Sequence, residues 1–251
     1  MTEVSAAGVI FEREIVPVLR NPLGLVFTVA QPLVFLLLFG PLLTDVPGTG
    51  GESAWQWFVP GILVMTGLFA TAGAGWGIQA ELVGGSMERI LVAPVSRASI
   101  LAGKTLKEGF SLLAQAVLIV LVAMPLGFRL HPLPVLAGLA LLTVFGVGLG
   151  SLAIALAILT RKRPETFWGA HQFLLFPLVL LSGVLLPVED APGWLATATR
   201  INPLTYLVEA ERALFAGEFL DVSVLWGSIG ALVTAAVGLT VGARAMRNAA
   251  S

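Results

Sequence analysis

"ASILAGKT", residues 98–105, ends in the Gly-Lys-Thr of a nucleotide-binding P-loop, and its reading decides the class of the fold. A P-loop has the form G-x-x-x-x-G-K-[ST] between a buried strand and a helix, so that backbone N–H groups wrap the phosphates. Here Ala98 stands in place of the first glycine, and the preceding "LVAPVSR" holds Pro94 and Arg97, which do not suit a buried central strand. Working outward, Gly84-Gly85 should close a long apolar helix, and Ser86 can cap a short one, "MERILVA", that Pro94 ends. Ser96 can cap the next, "RASILAGKTLKE", which runs on into apolar sequence. Gly103, Lys104 and Thr105 are then expected inside a helix, with Lys104 at a membrane surface. A metal-binding acid to complete an ATP site could be sought only in "VLLPVED", which Pro187 interrupts. The octapeptide therefore predicts no ATP binding by this chain.

Composition points the same way. The 251 residues are 57% hydrophobic and 12% charged, against about 25% charged in a soluble domain. So few polar groups cannot cover a water-facing surface, and the bilayer is implied as solvent. A net charge of −1 provides no basic field for nucleic acid. With no Cys and only two His, thiolate chemistry is excluded and a metal site is not expected.

The charged residues divide the chain. Six gaps between them, opening after Arg20, Glu52, Glu108, Arg129, Glu165 and Asp221, each hold at least 20 uncharged residues, roughly the 20 a spanning helix needs. The expected spans are Leu23–Leu43, Trp57–Ala80, Gly109–Gly127, Val135–Thr160, Trp168–Leu186 and Val222–Ala243, with "LHPLP" read as a turn before the fourth. Glu3, Glu12 and Glu14 beside Arg13 and Arg20, and no A-x-A pattern after the first span, argue against a cleaved signal peptide. With the N-terminus cytoplasmic, 11 of the 14 Lys and Arg lie inside, so both termini are expected in the cytoplasm.

The spans carry no Asp, Glu, Lys or Arg, which counts against ion-coupled carriers. His171, early in the fifth span, reads as an interfacial or interhelical hydrogen-bonder. The small-residue pairs Gly73/Gly77 and Gly146/Gly150 fit a protomer interface or helix contacts within one bundle.

Two segments carry a resemblance. "VGGSMERILVAPVSRASILAGKTLKE" resembles the cytoplasmic signature of ABC-2-type permeases, with its glycine-flanked acidic–Leu segment, proline, Ser-Arg and Gly-Lys. "FPLVLLSGVLLPVEDAPGWLATATRINPLTYLVEAERALFAG" resembles the second signature of that family. The likeness covers nearly the whole chain, and its size is similar to the daunorubicin-resistance-type drug-export permeases. It implies an all-α polytopic membrane protein, one transmembrane domain over 1–251, with an N-terminal amphipathic connecting helix over 1–22. It further implies a coupling region over 84–107 and short re-entrant extracellular helices over 187–221, between spans five and six.

By resemblance, Ser86, Met87, Glu88, Arg89, Ile90 and Leu91, with Glu12 and Arg13, form the interface to a separate ATPase subunit. Phe11, Ile15 and Val18 make the apolar stripe of the connecting helix, which Pro17 should kink, and Asn21-Pro22 reads as the cap and first turn of span one. Thr66, Phe69, Phe173 and Phe176 are the implied substrate pathway, although ordinary helix contacts explain the Phe residues equally well. Asn202, Pro203, Leu204 and Tyr206 belong to the implied extracellular gate. Asn202 and Pro203 should start its second helix, with Leu204, Leu207 and Val208 on the apolar face and Glu209, Glu211 and Arg212 meeting water or pairing.

The implied function is the permease subunit of an ATP-driven exporter in the bacterial cytoplasmic membrane, moving a drug-like or lipid-like amphiphile. Its implied partners are two copies of the ATPase, a second permease copy as homodimer or related heterodimer, and the bilayer. No cofactor is expected on this chain; ATP and Mg belong to the ATPase. A polysaccharide or glycolipid exporter of the same family, a self-sufficient channel or carrier, and a scaffold or immunity protein stay open as alternatives.

Overall fold

The computed structural model describes residues 3–43, 54–86, 95–184 and 192–248. Nine α-helices follow one another among them: α1 Glu3–Leu19, α2 Pro22–Phe39, α3 Ala54–Val83, α4 Arg97–Ala123, α5 Pro132–Leu159, α6 Pro164–Leu180, α7 Gly193–Ile201, α8 Pro203–Ala216 and α9 Val222–Asn248. Short 3-10 turns follow α2 (Pro41–Leu43) and α4 (Met124–Leu126).

The boundaries follow local chemistry. Asn21 caps α2 by accepting from Gly24 N–H at 3.0 Å, with Pro22 at the first helical position. Ser96 caps α4 by accepting from Ser99 N–H at 3.1 Å. α3 ends as the Gly84-Gly85 pair predicts, because Gly85 takes a φ of +66°, where a Cβ is disfavoured. α5 begins earlier than expected: Pro132 is its first residue, so most of "LHPLP" is helix rather than turn, as proline at the first position allows.

Among the described residues, four helices are long and apolar enough to cross a membrane: α3, α4 with its 3-10 turn, α5 and α9. The other two expected spans are shorter. α2 has 18 residues, of which Val26–Phe39 is the apolar part, and α6 has 17. α6 stops at Leu180, short of the expected end of span five at Leu186, and the chain turns through Gly183 at φ +72°. Pro177 leaves no N–H for the ladder in that last turn. Residues 185–186 lie outside the described residues.

α5 is the centre of the bundle, packed on α3, α4, α8 and α9. Its closest neighbour is α9, where a Cβ on Gly238 would lie 2.0 Å from the Gly148 carbonyl oxygen. Without a hydrophobic drive between helices in lipid, such close approach through small residues supplies the van der Waals attraction. Phe58, Ile62, Leu63, Leu68, Leu112 and Ile119 fill the main core between α3 and α4, fully or almost fully buried. Large apolar side chains cover the outer faces instead, including Phe27, Leu37 and Leu38 on α2 and Leu225, Leu232 and Val233 on α9. That inversion is what a lipid-facing surface requires.

Candidate functional site

The end of the bundle where α4 begins is organised by Lys104. On α4 it follows Ile100 and Leu101 by four and three positions, so it falls on their buried face and is only 5% exposed. The side chain is therefore enclosed by neighbouring helices, which its expected place at a membrane surface did not foretell. Its ammonium lies 2.8 Å from Glu14 on α1 and 2.8 Å from Glu81 near the end of α3. Arg13, half-exposed, stands 3.7 Å from Glu81. Burial raises the Glu14 carboxyl, but the charge and hydrogen bond of Lys104, helped by Lys107 and Arg13, outweigh it and hold the group below its ordinary value.

The neighbouring glycine has an equally structural role. A Cβ on Gly103 would lie 2.6 Å from Ile10 Cβ and 2.8 Å from the Ala7 carbonyl, so this glycine lets α1 cross α4 closely. Thr105 donates back to the Leu101 carbonyl at 3.0 Å. Gly103 and Lys104 thus hold helices together, while Thr105 bonds back along its own helix. Phe11 meets Phe110 edge-on at 6.0 Å, Ile15 is buried and Val18 is half-buried, as the apolar stripe predicts.

Two further contacts brace this end. Gln79 donates to the Ala157 carbonyl and to Thr160 Oγ1, both at 2.9 Å, and Arg97 donates to the Arg247 carbonyl. Of the expected ATPase-facing residues, Glu12 is exposed, as is much of Arg13, and Ser86 is half-buried just past the end of α3. Met87, Glu88, Arg89, Ile90 and Leu91 lie outside the described residues.

Between α2 and the α3/α4 pair lies an apolar groove of about 720 Å³, bounded at one end by Lys107 and Glu108. A second cavity of about 340 Å³ continues it through shared Thr28, Phe69 and Ala70 to Gln31 and Thr66. Thr66 is buried with its hydroxyl on the Ile62 carbonyl, and Phe69 is half-buried on the groove wall. Phe173 and Phe176 line neither cavity. They stand 79% and 55% exposed on α6, so the four expected pathway residues do not converge within one chain. His171 on α6 meets Thr71 on α3 through Nε2 at 3.2 Å, the interhelical contact its position suggests.

The opposite end of the bundle is braced around α8. Asn202 accepts from Leu204 N–H at 3.0 Å and donates to the Leu178 carbonyl at 2.7 Å, so one side chain caps α8 and ties it to α6. Pro203 starts the helix, Leu204, Leu207 and Val208 are buried, and Tyr206 donates to the Arg200 carbonyl of α7 at 2.8 Å. Arg212 lies 3.8 Å over the Trp57 ring and donates to the Trp57 and Gly183 carbonyls at 3.2 and 2.8 Å. Its charge also acts on the Glu209 carboxylate.

Glu211 departs from the sequence reading. It is 0% exposed, and neither carboxylate oxygen has a hydrogen-bond partner among the described residues. A Cβ on Gly138 of α5 would lie 2.6 Å from Oε2, so the group is pressed against the centre of the bundle. Burial pushes its carboxyl well above the ordinary value. The signal was available: Glu211 follows Leu204, Leu207 and Val208 at seven, four and three positions and shares their face, whereas Glu209 falls on the exposed side.

Gln56 is another residue the sequence did not single out. Its amide donates to the carbonyls of Arg129 and Phe215 and accepts from Arg129 N–H at 3.0 Å, joining the start of α3 to the α4–α5 loop and the end of α8. No motif marks it, because its partners are backbone groups far away in sequence.

Comparisons with known proteins fit this architecture. The profile of a family described as ABC-2 type transporter matches residues 6–216. A daunorubicin resistance ABC transporter permease protein of Streptomyces coeruleorubidus is 27% identical over 96% of this chain and 86% of its own length. A protein named as a transport permease from Cyanophora paradoxa is 31% identical over 82% of this chain and 73% of its own. One named as a multidrug ABC transporter permease, from Escherichia coli (strain K12), is 25% identical over 73% of this chain and 50% of its own.

Proposed function

The chain belongs to the ABC-2 type transporter family, and from that premise we propose that it is the membrane permease subunit of an ATP-driven exporter. In this reading α2 and α6 complete six spans with α3, α4, α5 and α9, and both termini face the cytoplasm of a bacterial cell. Two permease copies, identical or closely related, form the path, and two separate ATPase subunits carry the ATP and Mg. The chain itself binds no cofactor.

The observation that carries the reading is the Lys104 node. It fastens α1, α3 and α4 together at the end from which residues 84–96 emerge. A push on Ser86–Ala93 by the ATPase is then delivered to three helices at once rather than to a flexible turn. α7 and α8, held by Asn202 and Arg212, are the outer lid, with Asn202, Pro203, Leu204 and Tyr206 at its hinge. Thr66 and Phe69 on α3, with Phe173 and Phe176 on α6, face the path once two copies meet. The cargo is a drug-like or lipid-like amphiphile, in keeping with the drug-resistance names of the relatives.

The test is co-purification. The detergent-solubilised chain, drawn from its native membrane, is expected to bring down an ATPase that Glu88→Ala/Arg89→Ala loses. A chain that purifies alone and transports in liposomes without ATP would overturn the proposal.

A further inference from the structure

The groove beneath α2 is long and mostly apolar, and Lys107 and Glu108 line one end of it together with Ile15, Val18 and Leu19 of α1. Val26 and Val29 of α2, Phe69 and Gly73 of α3, and Phe110 and Leu118 of α4 form its walls. Thr28, Ser111 and Gln115 are its few polar wall residues away from the Lys107/Glu108 end, so most of its length offers water too few of the two to four polar partners each molecule needs. Along α4 the groove runs from Lys107 to Leu118, eleven residues, or about 16 Å at 1.5 Å each. One leaflet of a bilayer has about 15 Å of hydrocarbon, half of the roughly 30 Å core. Groove and leaflet match in length.

The Lys107/Glu108 end supplies the rest of the chemistry. Lys107 and Glu108 both line it and are paired, and an ammonium with three donors can bond an anion besides Glu108. In the orientation proposed above, that mouth lies at the cytoplasmic boundary, at the depth of lipid phosphates. We propose that the groove is a binding site for one glycerophospholipid of the cytoplasmic leaflet, an acyl chain between α2 and α4 and the phosphate on Lys107. The lipid supports α2, whose contacts with α3 and α4 are otherwise sparse. Cargo must displace that lipid to reach Phe69 and Thr66 from the membrane.

Gly73 offers a clean test. A Cβ there meets nothing within 4 Å, so Gly73→Phe can occupy the groove without disturbing the core. The full chain is placed in vesicles of phosphatidylcholine and phosphatidylglycerol containing a phospholipid with a photoactivatable acyl chain, irradiated, extracted and mapped by peptide mass spectrometry. Labelling is expected at Phe69, Phe110 and Leu118, several-fold above that on the exposed α9 face around Leu232. Gly73→Phe should abolish the groove label while leaving the α9 label and the unfolding temperature unchanged. Lys107→Gln should reduce the groove label several-fold. Equal labelling of both faces, or groove labelling that survives Gly73→Phe, overturns the proposal. No readout uses ATP or a partner, so the result is separable from the fate of the exporter reading.

Discussion

The ammonium of Lys104 lies 2.8 Å from a carboxylate oxygen of Glu81, fastening α4 to the last turns of α3 on either side of the 84–96 connection. Glu14 of α1 shares the same ammonium at 2.8 Å. Removing the cation alone strands two largely buried carboxylates, and breaking a buried pair costs about 3–5 kcal/mol. Lys104→Met is therefore expected to lower the unfolding temperature sharply and to uncouple ATP hydrolysis from transport. Adding Glu14→Gln and Glu81→Gln should recover most of the stability but not the coupling. Thermal unfolding and transport by the reconstituted complex measure the two separately.

Glu211 gives a pH dependence of opposite sign to that of most carboxylates. Its native carboxyl is raised well above the ordinary value by burial, whereas the unfolded one sits near about 4.3. The native state binds the proton more tightly, so its contribution is full below the unfolded value and is lost as pH rises through the native one. Glu211→Gln keeps the shape and never ionises. The expected difference in unfolding temperature, variant minus wild type, grows from acid towards alkaline pH. A difference that is flat across pH would contradict the burial.

Arg212 acts through planarity as well as charge. It stacks on Trp57 while its donors reach two carbonyls on different segments. Arg212→Ala should cost about 2 kcal/mol, the scale of hydrogen bonds to a charged group. Arg212→Lys should recover less than half, since an ammonium neither stacks as a plane nor forks to two acceptors. Chemical denaturation of both variants in detergent is the check.

Two glycines separate close packing from conformational freedom. Gly238→Ala places a Cβ where the Gly148 carbonyl stands, and Gly103→Ala pushes on Ile10 and on the backbone of α1. Both are expected to destabilise although alanine favours helix by about 1 kcal/mol. Gly8→Ala, with nothing within 4 Å, should be neutral or stabilising. Unfolding temperatures of the three variants rank the contacts.

The pairing of glycines shows where sequence reading stopped. Gly146 and Gly150 suggested either a protomer interface or contacts inside one bundle; a Cβ on Gly146 would meet Leu112 at 2.6 Å, so that glycine serves the bundle. Gly73 and Gly77 look alike in sequence yet face open space. Helical spacing places residues on a face, but which helix covers that face depends on the other elements. The same holds for Lys104 and Glu211: their registers mark the buried side, and only the neighbouring helices make one an ion node and the other an orphan carboxyl.

By itself, the amino-acid sequence determined the solvent, the helical class and the punctuation of the chain. Charge-free runs, Asn21-Pro22, Gly84-Gly85, Ser96 and Asn202-Pro203 act locally, through desolvation and backbone geometry, and need no distant partner to be read. Tertiary structure decided that α2 stands off from α4 across a groove, that Gln56 joins three segments, and that the lysine of a P-loop look-alike holds three helices together. Those features depend on the distance between groups far apart in the chain, and that distance is set only when the helices pack.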